Sequence, residues 1–215
     1  MGLELTNVVI IDDDQLVRRA IVDYLRIATD IRVLATFPKA EGGIEFTRRN
    51  PVHVALVDIH MPGLNGIQTT KEIKATNPDT QVLILTSFDE DVALHGALDA
   101  GASGFLLKST SPEALVDAVR AVRRGISVIS GSPMSRLRNT PQAKPPEGEV
   151  PSLTQREQDV LALLCRGFSN NEIARDLSLS ESSVKSHVTS IMQRLGVNSR
   201  LRAVVRAHEL GFDRS

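Results

Sequence analysis

The sequence predicts an α/β chain in two units: a five-stranded parallel, doubly wound sheet with helices on both faces over residues 1–130, and a small all-α four-helix unit over 152–215. Three observations predict it. Up to residue 124, five short apolar runs alternate with longer segments whose apolar residues recur every three or four positions. Beyond residue 151 every segment has the helical period. Between them the stretch GSPMSRLRNTPQAKPPEGEVP carries Pro133, Pro141, Pro145, Pro146 and Pro151 and little to bury, so 131–151 reads as an extended, flexible linker.

The strands fall at 8–11, 31–35, 54–57, 82–85 and 105–107, and the helices at 16–27, 40–49, 66–75, 92–100 and 112–124. Strand-helix repeats with short loops imply a parallel sheet with right-handed crossovers. Central strands covered on both faces are continuously apolar, as 54–57 and 82–85 are, whereas Arg32 inside 31–35 suits an edge. Ser111 can cap the last of these helices, with Pro112 at its first position. In the tail, Thr154 with Glu157 and Ser169 with Glu172 have capping-box spacing and mark two helix starts. A third start follows Ser180 and a fourth lies near Ser199, after the Gly196-Val197-Asn198 break. The tight connection 177–180 between the second and third helices makes a helix-turn-helix unit.

Composition excludes several classes. The chain has 215 residues, 41% hydrophobic, with net charge −1. No apolar run is long enough to insert in a membrane and the start lacks the form of a secretory signal, so a soluble cytoplasmic protein is the expectation. Residues 1–6 match a loose myristoylation pattern that is read as chance. The one cysteine, Cys165, lies among Leu161, Leu163, Leu164 and Phe168 and reads as a small core hydrophobe; it leaves no intramolecular disulfide. Residues 1–124 hold 13 basic and 17 acidic side chains against 12 and 9 in 125–215, an acidic unit followed by a mildly basic one. That asymmetry suits a tail that meets nucleic acid.

Ligands of open parallel sheets bind beyond the carboxyl ends of the strands. Asp12, Asp13 and Asp14 follow the first strand, Asp58 ends the third, Thr86 the fourth and Lys108 the fifth. Any one of these could be an ordinary solvated strand end; together they gather carboxylates that repel one another unless a cation neutralises them. A hard divalent ion fits, and magnesium leaves coordination positions open for a phosphate. Such a site lets a carboxylate attack a phosphoryl group, with Lys108 pairing the phosphoryl oxygens and, at rest, Asp58.

The segments VVIIDDD, VALVDIHMPGLNG, LILTS and GASGFLLKS resemble the receiver domain of two-component response regulators, a flavodoxin-like fold. The resemblance implies that Asp58 accepts phosphate from a sensor histidine kinase. It implies that Asp12, Asp13, Asp58 and the main-chain carbonyl of His60 hold Mg2+, that Lys108 contacts the phosphoryl group, and that Thr86 and Phe105 form a switch. Phe105 lacks the hydroxyl of the tyrosine frequent there, and taken alone it reads as core. His60 and Phe88 are implied to tune the lifetime of the phosphate. An aspartate-nucleophile phosphohydrolase is the enzymatic rival, but it wants a second carboxylate two residues after the nucleophile, where this chain has His60.

Residues 153–212, through LTQREQDVLALLCRGFSNNEIARDLSLSESSVKSHVTSIMQRLGV, resemble the LuxR-type helix-turn-helix of NarL/FixJ regulators. Residues 181–195 bury Val184, Val188, Ile191, Met192 and Leu195 and present Lys185, Ser186 and Thr189 to a major groove. Ser182, Ser183 and His187 suit phosphates, with Arg194, Asn170 and Asn171 as further backbone candidates. A solvated helix face is the alternative for each. So mild a charge implies a homodimer on double-stranded promoter DNA, and Leu201, Val204 and Val205 are the candidate dimer face. The expected function is a transcription regulator rather than an enzyme, with phosphorylation on Asp58 driving dimerisation and releasing a receiver that hides the Lys185 face. A constitutive DNA binder that never takes phosphate is the alternative.

Overall fold

The computed structural model describes residues 5–87, 91–129 and 152–212. The linker and Phe88 lie outside them. The first unit runs β1 Thr6–Ile11, α1 Gln15–Leu25, β2 Ile31–Phe37, α2 Ala40–Arg49, β3 Val54–Asp58, α3 Gly66–Thr76, β4 Gln81–Thr86, α4 Asp91–Asp99, β5 Gly104–Leu107, α5 Pro112–Arg123 and β6 Val128–Ile129. All pairings are parallel, in the order β2-β1-β3-β4-β5-β6. Arg32 does sit on an edge strand. The sheet has six strands, not five: a two-residue β6 pairs with β5, opposite Gly104 and Phe105. A pair so short carries no periodicity that could mark it in the sequence.

Alternate residues of the central strands feed two cores. Val8, Ile10, Val54, Leu56, Leu83 and Leu85 pack with Ile21, Leu25, Leu115 and Val119 of α1 and α5. Val9, Ile11, Ala55, Val57, Val82 and Ile84 pack with Ala40, Ile44, Ile73, Leu94 and Leu98 of α2, α3 and α4. This double coverage is why β3 is buried at every position. Ser111 caps α5 with Pro112 in its first turn, and Asn65 with Gln68 forms a capping box on α3.

The second unit holds α6 Gln155–Cys165, α7 Asn170–Asp176, α8 Glu181–Arg194 and α9 Arg200–Leu210. Both predicted capping boxes form. The turn between α7 and α8 places Ser178 at φ 53, a left-handed residue that reverses the chain within a few positions. Cys165 is half-buried against the helical core.

Helix α9 leaves its own unit on one side to meet α4. Leu201, 4% exposed, joins the core that contains Leu94, Ala97 and Leu98, with Val205 packed beside it. Arg202 Nε pairs with Asp99 Oδ1 at 2.9 Å, Asn198 Nδ2 donates to the Asp99 carbonyl, and Ser199 Oγ donates to the Leu98 carbonyl at 3.4 Å.

Candidate functional site

Parallel strands end on one rim, and there β1, β3 and β5 deliver Asp12, Asp58 and Lys108. Asp12 and Asp58 are buried and Asp13 is exposed; oxygen atoms of the three carboxylates lie within 4.8 Å of one another. Lys108 Nζ bridges Asp12 Oδ2 at 2.7 Å and Asp58 Oδ1 at 3.0 Å, its side chain 15% exposed. Asp12 Oδ2 makes no well-directed hydrogen bond, so its approach to the ammonium is ionic contact alone. Two buried carboxylates and an exposed third, with one ammonium among them, fit a divalent cation, and the donor set is the all-oxygen kind that magnesium takes.

Burial pushes the Asp58 carboxyl above its ordinary 3.8; Lys108 opposes the shift and the Asp12 carboxylate adds to it, while the His60 main-chain N–H donates to the carboxylate. The Lys108 ammonium, taken partly out of water, is nevertheless held above its ordinary 10.5 by Asp12 and Asp58. Thr86 is buried at the end of β4, and its carbonyl accepts the Lys108 N–H at 2.7 Å, which ties the two positions together. Phe105, 1% exposed, packs in the α2–α4 core with Ile129 beside it. The His60 side chain is exposed at the rim.

The second candidate surface is α8. Val184, Val188, Ile191 and Leu195 are buried and Met192 is half-buried, leaving Ser182, Lys185, Ser186 and Thr189 exposed and Ser183 and His187 partly so. Ser186 and Thr189 donate to the carbonyls of Ser182 and Lys185, so both hydroxyl oxygens keep acceptor capacity. Ser182 and Ser183 cluster with Ser180 at the helix start. Lys185 is not hidden by the receiver: its side chain is 74% exposed, with Asp79 Oδ1 3.9 Å from its ammonium.

The surface that the first unit does cover is α9, because Leu201 and Val205 offer apolar area to α4 and the α8 face does not. Val204 packs inside the helical unit, so the anticipated dimer face divides between an internal residue and two that meet α4. Arg194 and Asn170 have structural work as well. Arg194 pairs with Glu157 at 3.1 Å and donates to the Ser152 carbonyl, and Asn170 Oδ1 accepts from Arg200. Burial raises the Glu157 carboxyl, but Thr154 and Arg194 outweigh it and hold the group below its usual 4.5. Asn171 is exposed.

A reading of the sequence misses the Arg202–Asp99 pair and the hydrogen bond from Arg18 to the main chain of Asp12. Only the position of Arg18, one turn after the helix-capping Asp14, signals the second.

Comparison with known proteins matches residues 8–120 to the response regulator receiver domain and residues 151–207 to bacterial regulatory proteins of the luxR family. The response regulator protein VraR of Staphylococcus aureus is 35% identical over 203 residues, covering 94% of this chain and 96% of VraR. Among solved structures, the RcsB response regulator of Salmonella typhimurium aligns with TM-score 0.60 at 28% identity, over 94% of this chain and 97% of RcsB. RcsB dimers bound to two parallel DNAs align with TM-score 0.58 at 29% identity, over 97% and 98%. No helix among the described residues is long and apolar enough to cross a membrane. With both halves accounted for over almost their whole length, the chain belongs to the two-component response regulators that join a receiver to a LuxR-type DNA-binding domain.

Proposed function

We propose that Asp58 accepts a phosphoryl group from a sensor histidine kinase and that the modified chain binds promoter DNA as a homodimer, regulating transcription in the cytoplasm. One observation carries this reading: Asp12, Asp13, Asp58 and Lys108 converge on one rim in a chain that also carries an exposed helix-turn-helix face. In the transfer, an Asp58 oxygen attacks phosphorus as the phosphorus–nitrogen bond of the phosphoimidazole breaks, the imidazole leaving with the electron pair. Asp58 becomes an acyl phosphate. Asp12, Asp13, Asp58 and the His60 carbonyl would hold magnesium, which when bound neutralises the phosphoryl oxygens and favours ionised Asp58.

Lys108 has a second partner ready, since an ammonium that bridges two carboxylates at rest can turn to the phosphoryl oxygens once Asp58 is esterified. Thr86, tied to Lys108 through the main chain, and Phe105 on the next strand then carry the change across the sheet. The same pocket hydrolyses the acyl phosphate, with His60 at its rim tuning the lifetime, so the chain is a switch and not a turnover enzyme.

On DNA, Lys185, Ser186 and Thr189 read bases while Ser182, Ser183, His187 and Asn171 meet phosphates. Arg194 and Asn170 contribute only by leaving the partners they hold in this structure. One mildly basic unit binds weakly, and two half-sites multiply its contacts. The similarity to RcsB, which binds DNA as dimers, supports this part of the reading.

The decisive experiment is intact-protein mass after incubation with acetyl phosphate and magnesium. Wild type gains one phosphoryl group and Asp58→Asn gains none. A folded wild type that gains none, and binds DNA as Asp58→Asn does, would be a constitutive DNA binder.

The seat of α9 on α4 supports a closed resting state in which Leu201 and Val205 are withheld from a second copy. Arg202→Ala removes a partly exposed ion pair worth about 1 kcal/mol or less, so the open population should rise by up to about fivefold. Small-angle scattering of the unphosphorylated protein should show a larger radius of gyration; an unchanged profile would contradict the latch.

A further inference from the structure

Arg18 stands in α1, away from the rim residues, yet its Nη1 donates to the main-chain oxygen of Asp12 at 2.5 Å. We infer that Arg18 is a positioning residue for the cation site, an inference that rests on the proposed phosphoacceptor reading and deepens it. The oxygen it holds belongs to the peptide that joins Asp12 to Asp13. Because that peptide is planar, holding its oxygen limits rotation of the plane that carries both Cα atoms, and so restricts where the two side chains start. The last main-chain bond from β1 to β2 is the Asp12 N–H to the Phe37 carbonyl at 3.1 Å, so the peptide that follows, between Asp12 and Asp13, lies past the ladder.

The turn is also held by β2, whose Phe37 carbonyl accepts the Asp12 N–H at 3.1 Å, by Lys108 on the Asp12 carboxylate at 2.7 Å, and by bonds within the turn itself. Asp12 Oδ1 accepts the Asp14 N–H at 2.9 Å, and Asp14 Oδ1 caps α1 through the N–H groups of Leu16 and Val17 at 2.7 and 3.3 Å. Arg18, whose own N–H donates to the Asp14 carbonyl at 3.0 Å, closes the loop by reaching back to Asp12. Loss of the guanidinium frees the peptide to rotate and parts the carboxylates that must meet on one ion.

The test is a magnesium titration of the full chain, read by thermal unfolding with no phosphodonor present, on wild type, Arg18→Ala, Arg18→Gln and Arg18→Lys. Partners that orient metal ligands are worth about tenfold or more in affinity. Arg18→Ala should therefore need about tenfold more magnesium for half its thermal shift, Arg18→Lys should recover part of the loss, and Arg18→Gln less. Acetyl-phosphate labelling should show the same displacement in magnesium dependence, with a near-normal rate at saturation. A lower melting temperature without metal, accompanied by an unchanged magnesium midpoint, would make Arg18 merely structural and overturn the inference. If Arg18→Ala fails to fold, the Lys and Gln midpoints decide: both equal to wild type would overturn it equally. A wild type with neither magnesium shift nor labelling would remove the phosphoacceptor reading itself, which separates the two failures.

Discussion

Replacing Lys108 with alanine should lower stability at neutral pH by about 3–5 kcal/mol, the usual cost of stranding buried charge, and magnesium should restore much of it. The ammonium lies 2.7 Å from Asp12 and 3.0 Å from Asp58, whose side chains are 0% and 4% exposed. Without it two buried carboxylates confront each other with no cation between them. Their alternative is to take up protons, and this sets the pH dependence. Asp58 already titrates above its ordinary 3.8, so the folded state binds its proton more tightly than the unfolded state does. Stability from that preference is fully present below 3.8 and is lost as pH rises through the folded-state value, which the variant moves further upward. The deficit of Lys108→Ala should therefore be small in acid and grow toward neutrality. Lys108 itself, raised above 10.5 in wild type, contributes stability below that pH that fades above the folded value. Urea unfolding at acid, neutral and alkaline pH, with and without magnesium, measures all of this; a deficit indifferent to both pH and metal would show that the ion pairs are not what Lys108 supplies.

Gly66→Ala should cost about 1–3 kcal/mol and slow phosphoryl labelling, because the added methyl has nowhere to go. A Cβ at Gly66 would lie 2.3 Å from the Asp58 carbonyl oxygen and 2.7 Å from Ile59 Cα, both main-chain atoms that cannot swing aside. The Gly66 N–H also donates to the Ile59 carbonyl at 2.9 Å, so α3 begins in direct contact with the residue that follows Asp58, the proposed phosphoacceptor. Pushing α3 away moves the end of β3. Gly96→Ala is the contrast: its Cβ would meet the Cδ1 tip of Ile67 at 2.8 Å, which can rotate, while alanine in α4 gains up to about 1 kcal/mol of helix propensity. Urea midpoints and labelling rates should therefore fall for Gly66→Ala and hold or rise for Gly96→Ala. Equal effects at the two positions would refute the account of Gly66.

What could be read before folding was whatever is written in local pattern. Five strands, the edge position of Arg32, the caps at Ser111, Thr154 and Ser169, and the order of acidic strand ends all follow from periodicity and short-range chemistry. Missing were features that no local periodicity marks, whether the residues that meet are near or far in sequence. The β6 pair is two residues long, the Arg18 bond depends on how α1 leaves the acidic turn, and the seat of α9 on α4 joins residues about a hundred positions apart. The expectation that the receiver hides Lys185 erred for the same reason: the sequence displays two amphipathic helices, α8 and α9, and their partners are chosen by three-dimensional fit.

The small sixth strand bears on how the protein can be cut. The receiver match stops at residue 120 and α5 at Arg123, yet Ile129 lies against Phe105 in the core and β6 pairs with β5. A fragment ended with α5 would bare the N–H and C=O groups along one side of β5, a template for edge-to-edge association between fragments. The packed sheet of the first unit extends through Ile129, so dissection for binding or swapping of output domains should place its boundary beyond that residue.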